Sequence, residues 1–175
     1  MNRLPRLNLV SGHDDRELDL IRGTLVMFEV VAGCDALAMV LHVLAERGAR
    51  AEVLDFVGHS RFPGFLALGS WVIDDSPQTA ASFGYVLRPL FDRLGIEQIR
   101  LLGCSTAASE PARGAMQRIA RATGREVFGS RTNLSSRDYG PDGFISDHAL
   151  VSSSVIARER GCAISLGHAA QAEIE

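Results

Sequence analysis

The stretch "AEVLDFVGHSRFPGFLALGSW", residues 51–71, contains the features that decide the fold. Its first part is an apolar run rich in β-branched and aromatic residues, which is typical of a buried strand. This pattern predicts a strand over residues 50–60, and the sequence of residues 64–73 predicts a further strand or a hairpin. His59 and Ser60 stand at the end of the first strand, directly before the chain breaks at a proline and a glycine. The stretch therefore predicts a strand whose end carries two side chains capable of chemistry.

The residues before this stretch predict a strand followed by a helix. "GTLVMFEVV", residues 23–31, is apolar and β-branched and predicts a buried strand. Residues 34–48 place apolar side chains three and four positions apart, which predicts an amphipathic helix ending at Gly48. Residues 1–22 are polar and lack clear periodicity. We therefore expect residues 1–22 to be a flexible or edge segment in front of a single domain, residues 23–175.

The residues after it continue the alternation of helix and strand. The predicted elements are a helix from Ser76–Pro77 to Leu94 bent at Pro89, a strand over 96–107, a helix from Glu110–Pro111 to Gly124 and a strand over 125–130. Residues 131–154 are rich in Gly, Pro, Ser and Asp and predict a long surface loop. Alternating helices and doubly buried strands predict an α/β fold, a three-layer α/β/α sandwich around a mainly parallel central sheet.

Composition narrows the class of protein and its partners. The chain has 175 residues, enough for one domain with a substantial core, and a net charge of −3, which predicts neither a nucleic-acid surface nor an anionic-membrane surface. No run resembles a signal peptide or a membrane span, so we expect a cytoplasmic protein, although a domain cut from a secreted polyprotein would look the same. Cys34, Cys104 and Cys162 lie far apart without metal-ligand spacing, which predicts neither disulfides nor a metal site. The oligomeric state stays open.

Two of the predicted strands end in residues that form a nucleophile and a base. His59 and Cys104 each follow an apolar run and precede a polar turn. Sites in parallel sheets form outside the carboxyl ends of the strands, so the two side chains converge if their strands are neighbours. A thiolate attacks a carbonyl, and an imidazole favours its ionisation and protonates the leaving amine. Backbone amides at the two turns are candidates to stabilise the oxyanion.

Two blocks of the chain resemble the histidine and cysteine blocks of caspase-like, clan CD cysteine peptidases. They are "VLDFVGHSRFPGFLALGSWVI" and, after a helix, "IRLLGCSTAASEPARGAMQRIARATGREVFGS". Within that superfamily, the two blocks most resemble bacterial CHAT-type and gingipain-like domains and the caspase-like domain at the N-terminus of large bacterial adhesins. The resemblance covers residues 23–134 and implies a caspase-hemoglobinase-like fold and a cysteine endopeptidase acting on protein or peptide substrates without a cofactor. It implies that His59 is the general base and Cys104 the nucleophile, and that the amides of Ser60 and Cys104 line the oxyanion hole.

The chain departs from that family at Ser60, where the family usually has the glycine of a His-Gly pair. This departure supports one alternative, a catalytically inactive caspase-fold module for protein interaction. A lesser alternative is a serine hydrolase at Ser60, but its G-x-S-x-G elbow requires a glycine where this chain has Phe62. A third, small-molecule binding at the strand ends of a flavodoxin-like sheet, rests on fold analogy.

Other polar clusters are weaker candidates for a site. His13, Asp14 and Asp15 are typical of a solvated terminus, and His168 has no distinguishing context. The acids and histidine of the predicted loop do not match a calcium-binding loop and are explained by turn formation; they are Asp138, Asp142, Asp147 and His148. No glycine-rich phosphate-binding motif is present.

Overall fold

The computed structural model describes residues 3–61 and 64–161. The strands in this part of the chain are β1 (Arg3–Ser11), β2 (Glu29–Val31), β3 (Arg50–Val57), β4 (His59–Arg61), β5 (Phe65–Leu68), β6 (Trp71–Ile73), β7 (Gln98–Leu102), β8 (Glu126–Ser130), β9 (Tyr139–Gly140), β10 (Gly143–Phe144) and β11 (Leu150–Ser152). Cys162 and His168, both considered above, lie outside the described residues.

The helices follow the strands in near-regular alternation. They are α1 (Arg16–Thr24), α2 (Cys34–Glu46), α3 (Pro77–Ala81), α4 (Arg88–Leu94) and α5 (Glu110–Thr123). A π-helical stretch, Ser82–Leu87, joins α3 to α4 directly before Pro89, and residues 153–161 are helical. Within the described residues, none of the helices combines the length and the apolar composition needed to cross a bilayer.

Six strands form the central sheet in the order β11-β8-β7-β3-β1-β2. Every neighbouring pair is parallel except β11 and β8, which are antiparallel. The predicted α/β class with a mainly parallel central sheet is therefore confirmed. A second, antiparallel sheet contains β4, β5 and β6, so residues 64–73 form the predicted hairpin apart from the central sheet.

The two faces of the central sheet are covered differently. The larger core cluster joins sheet residues such as Leu54 and Phe56 to Leu41 of α2, Phe91 of α4 and Ile119 of α5. The smaller cluster covers the other face with α1 and side chains from residues 134–150, and it contains Leu18, Val57, Leu102, Tyr139 and Phe144. Val57 and Leu102 of this cluster are the last residues of β3 and β7, so the cluster adjoins the ends of these two strands.

The expectation for residues 1–22 is wrong in the part that the structure describes. Strand β1 lies inside the sheet between β2 and β3, and α1 packs on the sheet, so this segment belongs to the domain. Leu7 and Leu9 are buried on one face of β1. Arg6 and Asn8 point to the opposite face, where Arg6 contacts a buried carboxylate. Arg6 and the side-chain amide nitrogen of Asn8, which donates to the carbonyl of Met27 at 3.0 Å, thus find partners on other elements.

Three predicted boundaries also need correction. The strand predicted over 23–31 is only β2, because α1 continues to Thr24 and Leu25 packs beside its buried residues. The strand predicted over 50–60 is divided at Gly58 into β3 and β4, which belong to different sheets. The loop predicted over 131–154 contains β9, β10 and β11, and β11 forms the antiparallel edge of the central sheet.

Candidate active site

The ends of two adjacent parallel strands bring His59 and Cys104 to one cleft. In the register of β3 and β7, Val57 lies opposite Leu102. One glycine follows each strand, Gly58 or Gly103, and the next residue is His59 or Cys104. Both side chains line a small cleft, here the Cys104 cleft, whose other walls include Glu17, Leu18, Leu134 and Tyr139.

The two glycines let a hairpin pack against the strand ends. A Cβ atom on Gly58 would lie 2.2 Å from the carbonyl oxygen of Ala67 in β5. On Gly103 it would lie 2.6 Å from Cδ1 of Leu66 and 2.9 Å from Oγ of Ser60. The space beside these glycines is therefore filled by the β4–β5 hairpin.

The thiol of Cys104 is half-buried and bonded to a neighbouring backbone. Its Sγ accepts a hydrogen bond from the amide of Leu134 at 3.4 Å and donates to the carbonyl of the same residue at 3.5 Å. Within the described chain, no hydrogen bond joins Cys104 to His59. The cleft volume is ≈ 30 Å³, which is room for water and not for a peptide.

The residues that cover Cys104, here called the cover segment, are 131–138. Besides the contacts of Leu134, the carbonyl of Thr132 accepts from the Ser105 amide at 2.9 Å. The carboxylate of Glu17, at the start of α1, accepts a hydrogen bond from the amide of Ser136. That amide holds the pKa of Glu17 below its usual range. The cover segment is thus tied both to the loop after β7 and to α1.

A second carboxylate, that of Asp138, binds the far end of the cover segment. Asp138 accepts from the amide of Ser135 at 2.8 Å and from the hydroxyl of Ser146 at 2.8 Å. Burial opposes ionisation of Asp138, but these bonds outweigh it and its pKa is lowered. Ordinary turn chemistry therefore accounts for Asp138, as the sequence predicted.

The imidazole of His59 faces a carboxylate that sequence analysis placed among solvated residues. Nε2 of His59 lies 3.0 Å from Oδ1 of Asp15. Asp15 is also the N-cap of α1, where its side chain accepts from the amides of Leu18 and Glu17. The amide of Leu18 and then that of Glu17 lower the pKa of Asp15, with a further contribution from His59. Asp15 is thus a fixed anion at neutral pH that orients the imidazole.

One sequence signal pointed to this role. Leu18, Ile21 and Leu25 are spaced as on one face of a helix, and an aspartate three residues before such a series is a typical N-cap. The cap position identifies the start of α1, but the contact with His59 depends on where α1 lies on the sheet.

Ser60 is a strand residue bonded to the backbone near the cysteine. It pairs with Leu66 across β4 and β5, and its hydroxyl donates to the carbonyl of Cys104. Successive side chains of a strand point in opposite directions, so the hydroxyl faces away from His59. The chain continues into a hairpin and not into a helix. These features disfavour the serine-hydrolase elbow at Ser60.

Backbone strain lies beside Cys104 and not at Ser60. Among the described residues, Ser105 is the one residue other than glycine with a positive φ, at 59°. Such conformations cost energy in an L-amino acid and are concentrated at functional sites. The turn that presents Cys104 is therefore the strained element of the cleft. The assignment of the Ser60 and Cys104 amides to an oxyanion hole stays a prediction.

A buried ion pair lies beneath the same face of the sheet. Asp55 of β3 and Arg100 of β7 are opposite each other in register, and their side chains form a bidentate pair with Nε 2.5 Å from Oδ1. Asp55 is fully buried, and burial raises its pKa. Arg100 also reaches Asp147 at 2.7 Å and lies over the ring of Phe144. This pair was not predicted, although a charge within each of two apolar strands was the available signal in the sequence.

The remaining polar candidates do not converge on a site. Nδ1 of His13 is 2.9 Å from Oγ of Ser11. Asp147 contacts Arg100. Within the described residues, no group of three histidine, cysteine, aspartate or glutamate side chains is placed to hold a metal ion.

Comparison of the chain with protein families and with curated proteins finds no match in either.

Proposed function

We propose that this chain is a cysteine endopeptidase in which Cys104 is the nucleophile and His59 the general base. The observation that supports it most is the placement of both side chains in one cleft, at the carboxyl ends of adjacent parallel strands. The resemblance in residues 23–134 points to the same two residues. In this proposal the fold is a caspase-like three-layer α/β/α sandwich, with α1 supplying the helix of the thinner layer, and the protein acts in the cytoplasm.

The reaction proceeds through a thioacyl-enzyme. His59 accepts the thiol proton, and Sγ of Cys104 attacks the carbonyl carbon of the scissile peptide bond, forming a C–S bond. The oxyanion is stabilised by the amides of Ser60 and Cys104. The C–N bond then breaks as the imidazolium gives its proton to the leaving amine. Water, deprotonated by His59, attacks the thioester, and the acid product and the free thiol are released.

Asp15 acts in this mechanism as a positioning residue. Its contact with Nε2 of His59 leaves Nδ1 as the ring nitrogen for proton transfer. The carboxylate also favours the imidazolium that forms during the reaction, because opposite charges close together stabilise each other. Asp15 therefore orients His59, and His59 is the general base for Cys104, although the three residues come from separate parts of the chain.

Substrate access requires displacement of the cover segment. Leu134 occupies both hydrogen-bonding directions of the Cys104 thiol, and the cleft of ≈ 30 Å³ has no room for a peptide. A peptide strand that replaces Leu134 takes over the position of its backbone. Substrate preference is then determined by residues 131–153, which surround this position.

The same cover supports a second candidate, a non-enzymatic interaction module of this fold. In that case Leu134 holds the thiol permanently, and the bonds from Glu17 and Asp138 keep the cover segment closed. The two candidates differ in whether Cys104 reacts as an activated thiol.

Alkylation of the purified protein with a peptidyl acyloxymethyl ketone and with iodoacetamide, followed by peptide mapping, separates them. We expect the peptidyl probe to label Cys104 in the wild type, with no labelling there in Cys104→Ala and strongly reduced labelling in His59→Ala. Cys34→Ala is the matched control, because burial raises the pKa of Cys34 and makes it a poor nucleophile. Labelling confined to other cysteines, or labelling of Cys104 unaffected by His59→Ala, would contradict the peptidase mechanism.

A further inference from the structure

The outer edge of β2 carries a cluster of exposed apolar side chains. In the described part of the chain β2 pairs with β1 alone, so its other edge is open. Ten large apolar side chains are exposed in this part, and half of them lie on or beside β2. The cluster, here the β2 edge patch, consists of Val26, Met27, Val30, Met39 and Val43. Contiguous exposed apolar surface of this kind marks interaction sites.

Two grooves adjoin this patch. A groove of ≈ 390 Å³ on the α2 side is lined by Met39, Val43 and Glu29. A second groove of ≈ 280 Å³ is lined by Val26 and Met27 and again by Glu29. Both grooves share Glu29 of β2 and Leu44 of α2, so they meet at the open edge of the sheet.

The charges at the patch balance each other. Glu29 and Arg47 line the groove beside α2, and Arg6, which lines the second groove, is paired with Asp55. A groove with one acid and one base has little attraction for a strongly charged partner. It suits a neutral, apolar surface that carries the same mixture of groups, and another copy of this edge is such a surface.

We propose that the β2 edge patch is a self-association surface, at which β2 of a second copy of this chain pairs antiparallel with β2 of the first. The hydrogen-bond ladder between two identical edges has two-fold symmetry only when the strands are antiparallel. The two central sheets then become one continuous sheet. Met39, Val43, Val26 and Met27 of both copies flank this ladder.

The length of β2 determines the position of the symmetry axis. The strand has three residues, and the pairing that uses all of them places its middle residue, Val30, opposite Val30 of the second copy. The Cys104 cleft lies at the ends of β3 and β7, on the other side of β1. Self-association at β2 therefore leaves that cleft open and does not depend on its chemistry.

Disulfide trapping tests the axis directly. Opposite residues of an antiparallel pair have Cα atoms about 4.5–5.5 Å apart, within the range of about 4.4–6.8 Å that disulfides span. We expect Val30→Cys, oxidised with glutathione disulfide, to form a covalent dimer on a non-reducing gel. The wild type measures the background of the native cysteines, and Tyr85→Cys is the matched control, since Tyr85 is 86% exposed on a different surface. A Val30→Cys dimer yield equal to that of both controls would overturn the proposal.

Sedimentation equilibrium tests the wild-type protein without a crosslink. We expect a dimer whose fraction rises with protein concentration. Val30→Lys places two like charges opposite each other at the axis and weakens the dimer roughly tenfold or more, whereas Tyr85→Lys does not. If Val30→Lys loses its circular dichroism spectrum, Met39→Lys replaces it, because Met39 is 70% exposed. A wild-type monomer at every concentration up to the solubility limit would overturn self-association and assign the patch to a different polypeptide.

Discussion

The carboxylate of Asp15 lies 3.0 Å from Nε2 of His59 and at the same time caps α1. The cap fixes the position of the carboxylate, because two backbone amides of the first helical turn bind it. The imidazole is in turn oriented by the start of a helix that packs on the central sheet. The orientation of His59 therefore depends on the placement of α1, through one aspartate.

Asp15→Asn separates the cap from the charge. Asparagine caps helices as well as aspartate does, so we expect an unchanged melting temperature. The loss of the anion beside His59 is expected to slow iodoacetamide alkylation of Cys104 at neutral pH by roughly twofold to fivefold, the effect of an exposed ion pair. The measurement is the alkylation rate against pH, with Cys104 identified by peptide mapping.

Asp19→Asn is the matched control for this experiment. Asp19 lies on the same helix and pairs with Arg22, away from the cleft. Its removal is expected to leave the alkylation profile unchanged. Superimposable profiles for Asp15→Asn and the wild type would show that Asp15 is a helix cap and no more.

Asp55→Asn is expected to cost about 3–5 kcal/mol of the free energy of unfolding, because it leaves the buried guanidinium of Arg100 without its bidentate partner. Urea denaturation measures this change. Asp147→Asn removes a partner that is 69% exposed from the same guanidinium. We expect that control to cost about 0–1 kcal/mol. Equal losses in the two variants would mean that Asp55 contributes no more than a surface carboxylate does.

Most of the fold between α2 and β8 followed from local patterns in the sequence. The helices have apolar residues at helical spacing, and their ends have recognisable caps. Ser76 accepts from the amide of Thr79, while Gly95 and Gly124 end α4 and α5 with positive φ. Each of these signals acts over a few residues, so a sequence is sufficient to find it.

The N-terminal strand and the contact of Asp15 depended on tertiary structure. Arg6 has its partners on other elements, the carbonyl of Phe144 in β10 and the carboxylate of Asp55 in β3. No local pattern predicts that a polar residue of β1 is satisfied by them. His59 and Cys104 were recognisable because each follows a strand, but whether they share a cleft depended on which strands are neighbours.

Loosening the cover segment is expected to expose the thiol. Asp138→Ala removes the acceptor for the amide of Ser135 and the hydroxyl of Ser146. We expect several-fold faster iodoacetamide alkylation of Cys104, because Leu134 leaves the thiol more often. Asp142→Ala is the matched control, an exposed acid nearby. Equal rates in both variants and the wild type would mean that Asp138 does not hold the cover over Cys104.

The bond between Glu17 and the Ser136 amide makes part of the stability depend on pH. The pKa of Glu17 is held below its usual range by that amide. Its contribution is therefore present above the unfolded-state pKa of about 4.3 and is lost as the pH falls through the lower folded-state value. We expect the difference in melting temperature between the wild type and Glu17→Gln to shrink in that acidic window. A difference that stays constant with pH would show that ionisation of Glu17 does not stabilise the fold.

Because Gly58 contacts the β4–β5 hairpin, its replacement is expected to change both the free energy of unfolding and the reactivity of Cys104 in the cleft. A Cβ on Gly58 would lie 2.2 Å from the backbone oxygen of Ala67, which no side-chain rotation relieves. Gly58→Ala therefore has to separate β4 from β5 next to His59. We expect a loss of about 1–3 kcal/mol in urea denaturation, accompanied by a change in the alkylation rate of Cys104. Gly23→Ala is the control, because a Cβ there meets nothing within 4 Å, and in α1 alanine is expected to stabilise by about 0.4–1 kcal/mol. If Gly58→Ala is as stable as the wild type, the hairpin does not pack on the end of β3.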